Sequence, residues 1–140
     1  MITLLFFCLF VFNSCETVLV SLNGGSANIE LSDGKAYING ILGKKSHRKI
    51  VEFMENNPNV KTFVLERVPG SANDEYNVKT CLEINKRGIN TELLSHSVVE
   101  SGGVDLFISG NKRTISKGAK IGVHAWRGGK NEATDFPRDH

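Results

Sequence analysis

Hydrophobic positions along this chain follow two periodicities. In the segment 27–31 every second residue is apolar, and the extended pattern resumes at 36–38 after the turn Ser32-Asp33-Gly34-Lys35, which together predict a β-hairpin. In the segment 44–56 apolar residues recur every three or four positions, which predicts an amphipathic helix that ends before Pro58. The remaining predicted elements are, in chain order, a strand at 61–68, a helix at 74–87, a strand at 89–94, a helix at about 102–109 and strands at 113–115 and 121–124.

This alternation predicts an α/β domain with a largely parallel sheet, because connecting helices make neighbouring strands parallel. In such sheets ligands bind at the carboxyl ends of the strands. Pro69-Gly70-Ser71, the segment 95–102 and His124 all stand at the ends of predicted strands, so we expect a site there, with Ser71 as the N-cap of the helix that follows it. The predicted buried residues of the helix at 74–87 are Tyr76, Val78, Cys81, Leu82 and Ile84.

The first residues predict export. Residues 2–12 are nearly all apolar, a run too short to span a bilayer but suited to the core of an export signal. Asn13-Ser14-Cys15 ends the run, and a small residue followed by cysteine resembles a bacterial lipoprotein processing site. We therefore expect residues 1–15 to be a signal with a lipid-modified Cys15, 16–26 to be a tether, and 27–140 to be one domain held at the membrane of the cell envelope. The alternative is a buried N-terminal strand or helix.

Composition narrows the function classes. The 140 residues suffice for one domain, and 40% hydrophobic with 23% charged residues is typical of a globular chain. The net charge is +2, and the cations are scattered without interleaved aromatic residues, which argues against nucleic-acid binding. Cys8 would leave with the signal and Cys15 would carry lipid, so Cys81 remains alone and neither a disulfide framework nor a metal cluster is predicted.

The segment 98–104 holds the strongest candidate for chemistry. Ser101 stands between a short apolar run and Gly102-Gly103, where backbone N–H groups at a helix start can hold a negative oxygen. One interpretation is an ordinary N-cap, which serines favour. The other is a nucleophile served by His124 as base. Glu100 is unexpected beside a nucleophile, because a carboxylate there opposes a developing oxyanion, and the alternative is that its side chain points outward to solvent.

Three motifs carry a resemblance to a known family. Pro69-Gly70-Ser71 lies between a strand and a helix, Glu100-Ser101-Gly102-Gly103 opens a helix, and the segment 122–129 places a histidine before a glycine-containing loop. Their order and spacing resemble the ClpP/crotonase superfamily, and within it the ClpP-like serine peptidases, over about residues 36–129. The resemblance implies repeated ββα units around a largely parallel sheet, and assembly into homo-oligomers.

The resemblance also implies roles for single residues. Ser101 is the nucleophile that attacks a peptide carbonyl, and His124 takes its proton and later passes it to the leaving amine. The amides of Gly70 and Gly102 form the oxyanion hole. Pro69 stands where the family usually has a first glycine, and the donor needed is the N–H of Gly70. The implied substrate is a peptide or protein, and no metal or cofactor is implied.

The chain differs from the family in the acidic residue that orients the histidine. In the family it lies well beyond the histidine, whereas the later acids of this chain come too soon in the sequence. Those acids are Glu132, Asp135 and Asp139. We therefore expect either that the acid is missing or that the chain is an incomplete copy of a longer protein.

Relatives of the signal peptide peptidase type pair the serine with a lysine, which needs burial to lose its proton. No lysine after Ser101 lies in an apolar run that would bury it. The candidates by position are Lys117, Lys120 and Lys130.

Together these features predict an exported, lipid-anchored, ClpP-like serine peptidase that acts through Ser101 and His124. One alternative is a catalytically inactive module of the same fold that serves protein interaction at the cell envelope. The other is a crotonase-like acyl-CoA enzyme that shares only the oxyanion hole.

Overall fold

The computed structural model describes residues 25–123 and the backbone of 127–128 and 131–132. The export signal predicted at 1–15, its Cys15, and His124 lie outside the described residues. The helices are α1 (Lys44–Asn56), α2 (Asp74–Lys86) and α3 (Gly102–Ile108). The strands are β1 (Asn28–Ser32), β2 (Lys35–Asn39), β3 (Thr62–Leu65), β4 (Arg67–Val68), β5 (Asn90–Leu93), β6 (Val98–Glu100), β7 (Arg113–Ile115), β8 (Lys120–Gly122), β9 (Arg127–Gly128) and β10 (Asn131–Glu132).

The larger sheet has the strand order β1-β2-β3-β5-β7. Its first two strands form the predicted hairpin, with positive φ at Asp33 (49°) and Gly34 (72°), as a two-residue type I′ turn requires. From β2 onward all neighbours are parallel, because each connection passes through a helix. The predicted α/β class with a largely parallel sheet is confirmed.

A smaller parallel sheet, β4-β6-β8, lies beside the first and corrects one prediction. The segment 61–68 is not one strand, because it divides at Glu66 between the two sheets. The Glu66 amide donates to the Ile38 carbonyl (3.0 Å), and its own carbonyl accepts from the Val98 amide (2.6 Å). The chain therefore changes sheets at this residue without losing backbone hydrogen bonds.

Helix α1 follows its sequence pattern. Ile50 and Met54 are buried, and Val51 and Phe53 are partly buried against the core. The apolar stripe at helical spacing therefore packs inward as predicted.

Helix α2 presents a different face to the core than its apolar residues predict. Val78 and Leu82 are 54% and 63% exposed, so their predicted burial is wrong, whereas Asn77 and Thr80 are buried beside Ile84. The Thr80 hydroxyl donates to the Tyr76 carbonyl (2.7 Å) and the Asn77 Nδ2 donates to the Gly102 carbonyl (3.1 Å), whereas Asn77 Oδ1 has no hydrogen-bond partner among the described residues.

The core lies between the sheets and the helices. Its largest fully buried side chains include Phe63, Ile38, Leu42, Ile50, Leu65 and Leu106. In the described ranges, no helix combines the length and the apolar character needed to cross a membrane.

Candidate functional site

Ser101 occupies the turn from β6 into α3 with an unusual backbone. Its φ is 49° and its ψ is −123°, a combination that favours glycine, and Ser101 and Asp33 are the non-glycine residues with positive φ among those described. Such a conformation costs about 1–3 kcal/mol and persists only when its surroundings hold it. Two contacts do so: the Ser101 amide donates to the Gly122 carbonyl (3.1 Å), and its carbonyl accepts from the Val104 amide (2.8 Å).

The Ser101 side chain does not cap the helix. It stands at the N-cap position of α3, yet it makes no side-chain capping hydrogen bond to the first turn. A serine in an N-cap role would accept a hydrogen bond from the second or third helical amide. The ordinary N-cap interpretation therefore fails to account for a serine at this position.

Ser101 lines an open cleft of about 520 Å³. The cleft is built from the ends of β4, β6 and β8 and from the connection before α1, so the carboxyl ends of parallel strands meet here as expected. Its walls include Ile41, Pro69, Gly70, Gly122 and Val123.

Gly70 and Ser101, thirty-one positions apart in sequence, come together in this cleft. A Cβ placed on Gly70 would lie 3.4 Å from the Cβ and 3.8 Å from the Oγ of Ser101. Gly70 has a φ of 143°, which a side chain rarely allows. Its carbonyl accepts from the Leu42 amide (2.9 Å), which fixes the orientation of the backbone at this point.

Gly102 and Gly103 are required by close packing at the start of α3. A Cβ on Gly102 would lie 2.8 Å from the Cβ of Ser71, and one on Gly103 would lie 2.3 Å from the Val68 carbonyl oxygen. Both glycines are buried. The first turn of α3 therefore lies in close contact with the end of β4.

The structure thus brings together three of the four residues predicted for catalysis, Ser101, Gly70 and Gly102. Within residues 25–123, neither the Gly70 amide nor the Gly102 amide donates to a backbone acceptor. An oxyanion hole is built from backbone N–H groups of this kind. The fourth residue, His124, follows Val123 of the cleft wall in sequence and is outside the described part of the chain.

Asn77 is a part of this region that the sequence pattern did not reveal. It is buried on α2, and its Nδ2 donates to the Gly102 carbonyl (3.1 Å) and to Asp105 Oδ2 (3.3 Å). These hydrogen bonds tie the first turn of α3 to α2. The sequence shows only an asparagine within a predicted helix, and nothing in the pattern indicates that this asparagine is buried.

The predicted N-cap role of Ser71 is wrong. Asn73 caps α2, with its Oδ1 accepting from the Tyr76 amide (3.1 Å). The Ser71 hydroxyl instead donates to the Asp74 carboxylate. Asn73 is one residue before the helix, where capping geometry requires the acceptor.

The two lysines that the structure describes among the candidates for an alternative base are not suited to that role. Lys117 and Lys120 are both exposed, whereas the lysine of such a pair needs burial, and Lys130 lies outside the described residues. Cysteine is another common nucleophile, but Cys81 does not line the cleft. Burial raises the pKa of its thiol to about 11. It is a packing residue, as its sequence position predicted.

Two solved structures are similar to this chain in fold. One is an enoyl-CoA hydratase/isomerase family member, with a TM-score of 0.52 and 16% identity over 71% of this chain and 50% of its own. The other is PA4980 of Pseudomonas aeruginosa, with a TM-score of 0.52 and 14% identity over 78% of this chain and 59% of its own.

The chain therefore spans between half and three fifths of the length of these structures. No protein-family model matches the chain, and no curated protein is similar to it. The mostly parallel sheets and these similarities together show that the chain has an α/β fold of the crotonase-like type.

Proposed function

We propose that this protein is a serine hydrolase of the ClpP-like peptidase type, with Ser101 as its nucleophile. The observation that carries the proposal is the backbone of Ser101, which holds a side chain at positive φ beside a cleft. Glycine would adopt this conformation without strain, and the hydroxyl does not cap the helix. A chemical role of the hydroxyl explains why the position carries a side chain at all.

The proposed reaction is acyl transfer. The Ser101 Oγ attacks the peptide carbonyl carbon while His124 accepts the hydroxyl proton, and the carbonyl oxygen becomes an oxyanion held by the Gly70 and Gly102 amides. The C–N bond then breaks as the amine takes the proton from His124. Water repeats the sequence on the acyl-serine ester, releasing the acid and restoring Ser101. Loss of one oxyanion donor would lower the rate by about 100-fold or more.

A second candidate is acyl-CoA chemistry that uses only the oxyanion hole, because one fold neighbour is an enoyl-CoA hydratase/isomerase family member. In that case the Ser101 hydroxyl would be dispensable. The cleft lining favours the hydrolase, because none of its described residues is a lysine or arginine that could meet an anionic substrate.

Labelling with a fluorophosphonate probe tests the serine mechanism. We expect the wild-type protein to be labelled at Ser101, located by peptide mass spectrometry, and Ser101→Ala to remain unlabelled. Ser95→Ala is the matched control, since Ser95 is exposed in the nearby β5–β6 connection and should not affect labelling. Equal labelling of wild type and Ser101→Ala, or no labelling of the wild type, would contradict the serine mechanism and leave the non-catalytic module or the acyl-CoA route.

We further propose that the domain is held at the cell envelope through lipid on Cys15, on the basis of the sequence pattern at 2–15. Metabolic labelling with a fatty-acid analogue in a bacterial host should mark the wild-type protein and be lost in Cys15→Ala. Cys8→Ala is the matched control and should retain the label. Retention of the label in Cys15→Ala would contradict the anchor.

A further inference from the structure

The residue before the proposed nucleophile is an acid whose side chain lies in the cleft. Glu100 is exposed at the end of β6 and lines the cleft together with Ser101. Its cross-strand partner on β8 is Gly122, which has no side chain to occupy the space. A Cβ on Gly122 would lie 2.8 Å from Glu100 Cγ and 3.3 Å from Glu100 Oε1. The Glu100 side chain therefore lies across Gly122, on the wall of the cleft.

This carboxylate places a negative charge on the described wall of the cleft. Among the described lining residues it is the only charged side chain, and no salt bridge to it occurs within 25–123. Lys120, two positions before Gly122 on β8, is exposed but does not line the cleft. The apolar walls formed by Ile41 and Val123 strengthen the field of a charge at this place.

A carboxylate beside a nucleophile is unfavourable for the chemistry unless the substrate compensates it. The oxyanion formed on attack is negative, and Glu100 repels it. A cation on the substrate, close to the reacting carbonyl, would attract Glu100 and remove this penalty. We propose that Glu100 is a specificity-determining residue that selects substrates with a lysine- or arginine-like side chain next to the scissile bond. This inference rests on the proposed serine hydrolase function.

Three diphenyl phosphonate probes that differ only in their side chain test the inference. One carries the aminobutyl group of lysine, one the butyl group of norleucine and one the carboxyethyl group of glutamate. In each case the Ser101 oxygen displaces one phenoxide from phosphorus, so the labelling rate reports attack on an oxyanion-like centre. We expect the aminobutyl probe to react about three to five times faster than the butyl probe, as for an exposed ion pair, and the carboxyethyl probe to react slowest.

Variants of Glu100 make the test specific. In Glu100→Gln the ratio of the aminobutyl to the butyl rate should fall to about one, and in Glu100→Lys the order of the charged probes should reverse. High salt should shrink the wild-type ratio without changing the butyl rate, since the effect is electrostatic. Glu30→Gln is the matched control, because Glu30 is exposed on β1, outside the cleft, and its loss should leave every ratio unchanged.

The outcomes separate this inference from the proposed function. If the fluorophosphonate and the phosphonates label Ser101 but the wild-type rate ratio is one, or is the same in Glu100→Gln, the role of Glu100 is wrong while the serine mechanism stands. If no probe labels Ser101, both proposals are overturned.

Discussion

Replacing Ser101 by glycine should stabilise the fold while removing the proposed nucleophile. The residue has a φ of 49° and a ψ of −123°, where any side chain is strained. Release of that strain is worth about 1–3 kcal/mol. The greater freedom of glycine in the unfolded chain offsets about 0.5–1 kcal/mol of this gain.

The informative comparison is Ser101→Gly with Ser101→Ala. Both lose the hydroxyl and all its contacts, but alanine keeps the Cβ and with it the strain. The glycine variant should therefore exceed the alanine variant by about 0.5–2 kcal/mol in the free energy of unfolding. In urea this corresponds to a midpoint higher by roughly 0.3–1 M, with an unchanged slope. Neither variant should react with the fluorophosphonate probe.

Asp33 is the control for the effect of strain on stability. It has the same φ of 49° as Ser101 but lies in the β1–β2 turn, away from the cleft. Asp33→Gly should be more stable than Asp33→Ala by about 1 kcal/mol, as expected for a left-handed position, and both should keep wild-type labelling. If Ser101→Gly proves no more stable than Ser101→Ala while the Asp33 pair shows the difference, the strain argument at Ser101 is refuted.

Three further predictions follow from the packing and the titratable groups. Gly103→Ala should destabilise the fold by about 2–4 kcal/mol in urea unfolding, because the new Cβ would lie 2.3 Å from the Val68 carbonyl oxygen. Gly34→Ala is the control and should cost less, because no atom lies within 4 Å of a Cβ at that position. Alkylation of Cys81 at pH 8, followed by peptide mass spectrometry, should be far slower in the native than in the unfolded protein, because burial raises the pKa of its thiol to about 11. Equal alkylation rates in the two states would contradict the burial of this thiol. Burial of His47 lowers its pKa below 6.5, so its contribution to the free energy of unfolding is complete above pH 6.5 and is lost as the pH falls below that value. His47→Gln should therefore flatten the acid side of a plot of unfolding free energy against pH. An unchanged plot would contradict the lowered pKa of His47.

Local patterns in the sequence predicted most of the elements. The start of α1 at Lys44, the α2 start at Asp74 and the β7 limits agree with the structure, because periodicity and turn residues act over a few neighbouring positions. The same local reasoning placed Ser101 at the start of a helix. It could not separate a capping serine from one held at positive φ, since both occur before glycines at a helix start.

The errors arose where burial depends on distant parts of the chain. Val78 and Leu82 are apolar yet exposed, and Asn77 is polar yet buried, because Asn77 finds acceptors on α3 that are far away in sequence. Likewise, the run 61–68 is uniformly apolar at its centre, and only the pairing of its two halves with different strands shows that it bends at Glu66.

The sequence by itself therefore determined the α/β class, the hairpin, the helices and the order of the three motifs. The tertiary structure decided which of their residues meet: it sets Gly70 beside Ser101, imposes a positive φ on the serine and turns Glu100 along the cleft wall over Gly122. The physical reason is that element type follows from local backbone and side-chain preferences. A site follows from contacts among segments tens of residues apart, whose packing fixes conformations that no local preference favours.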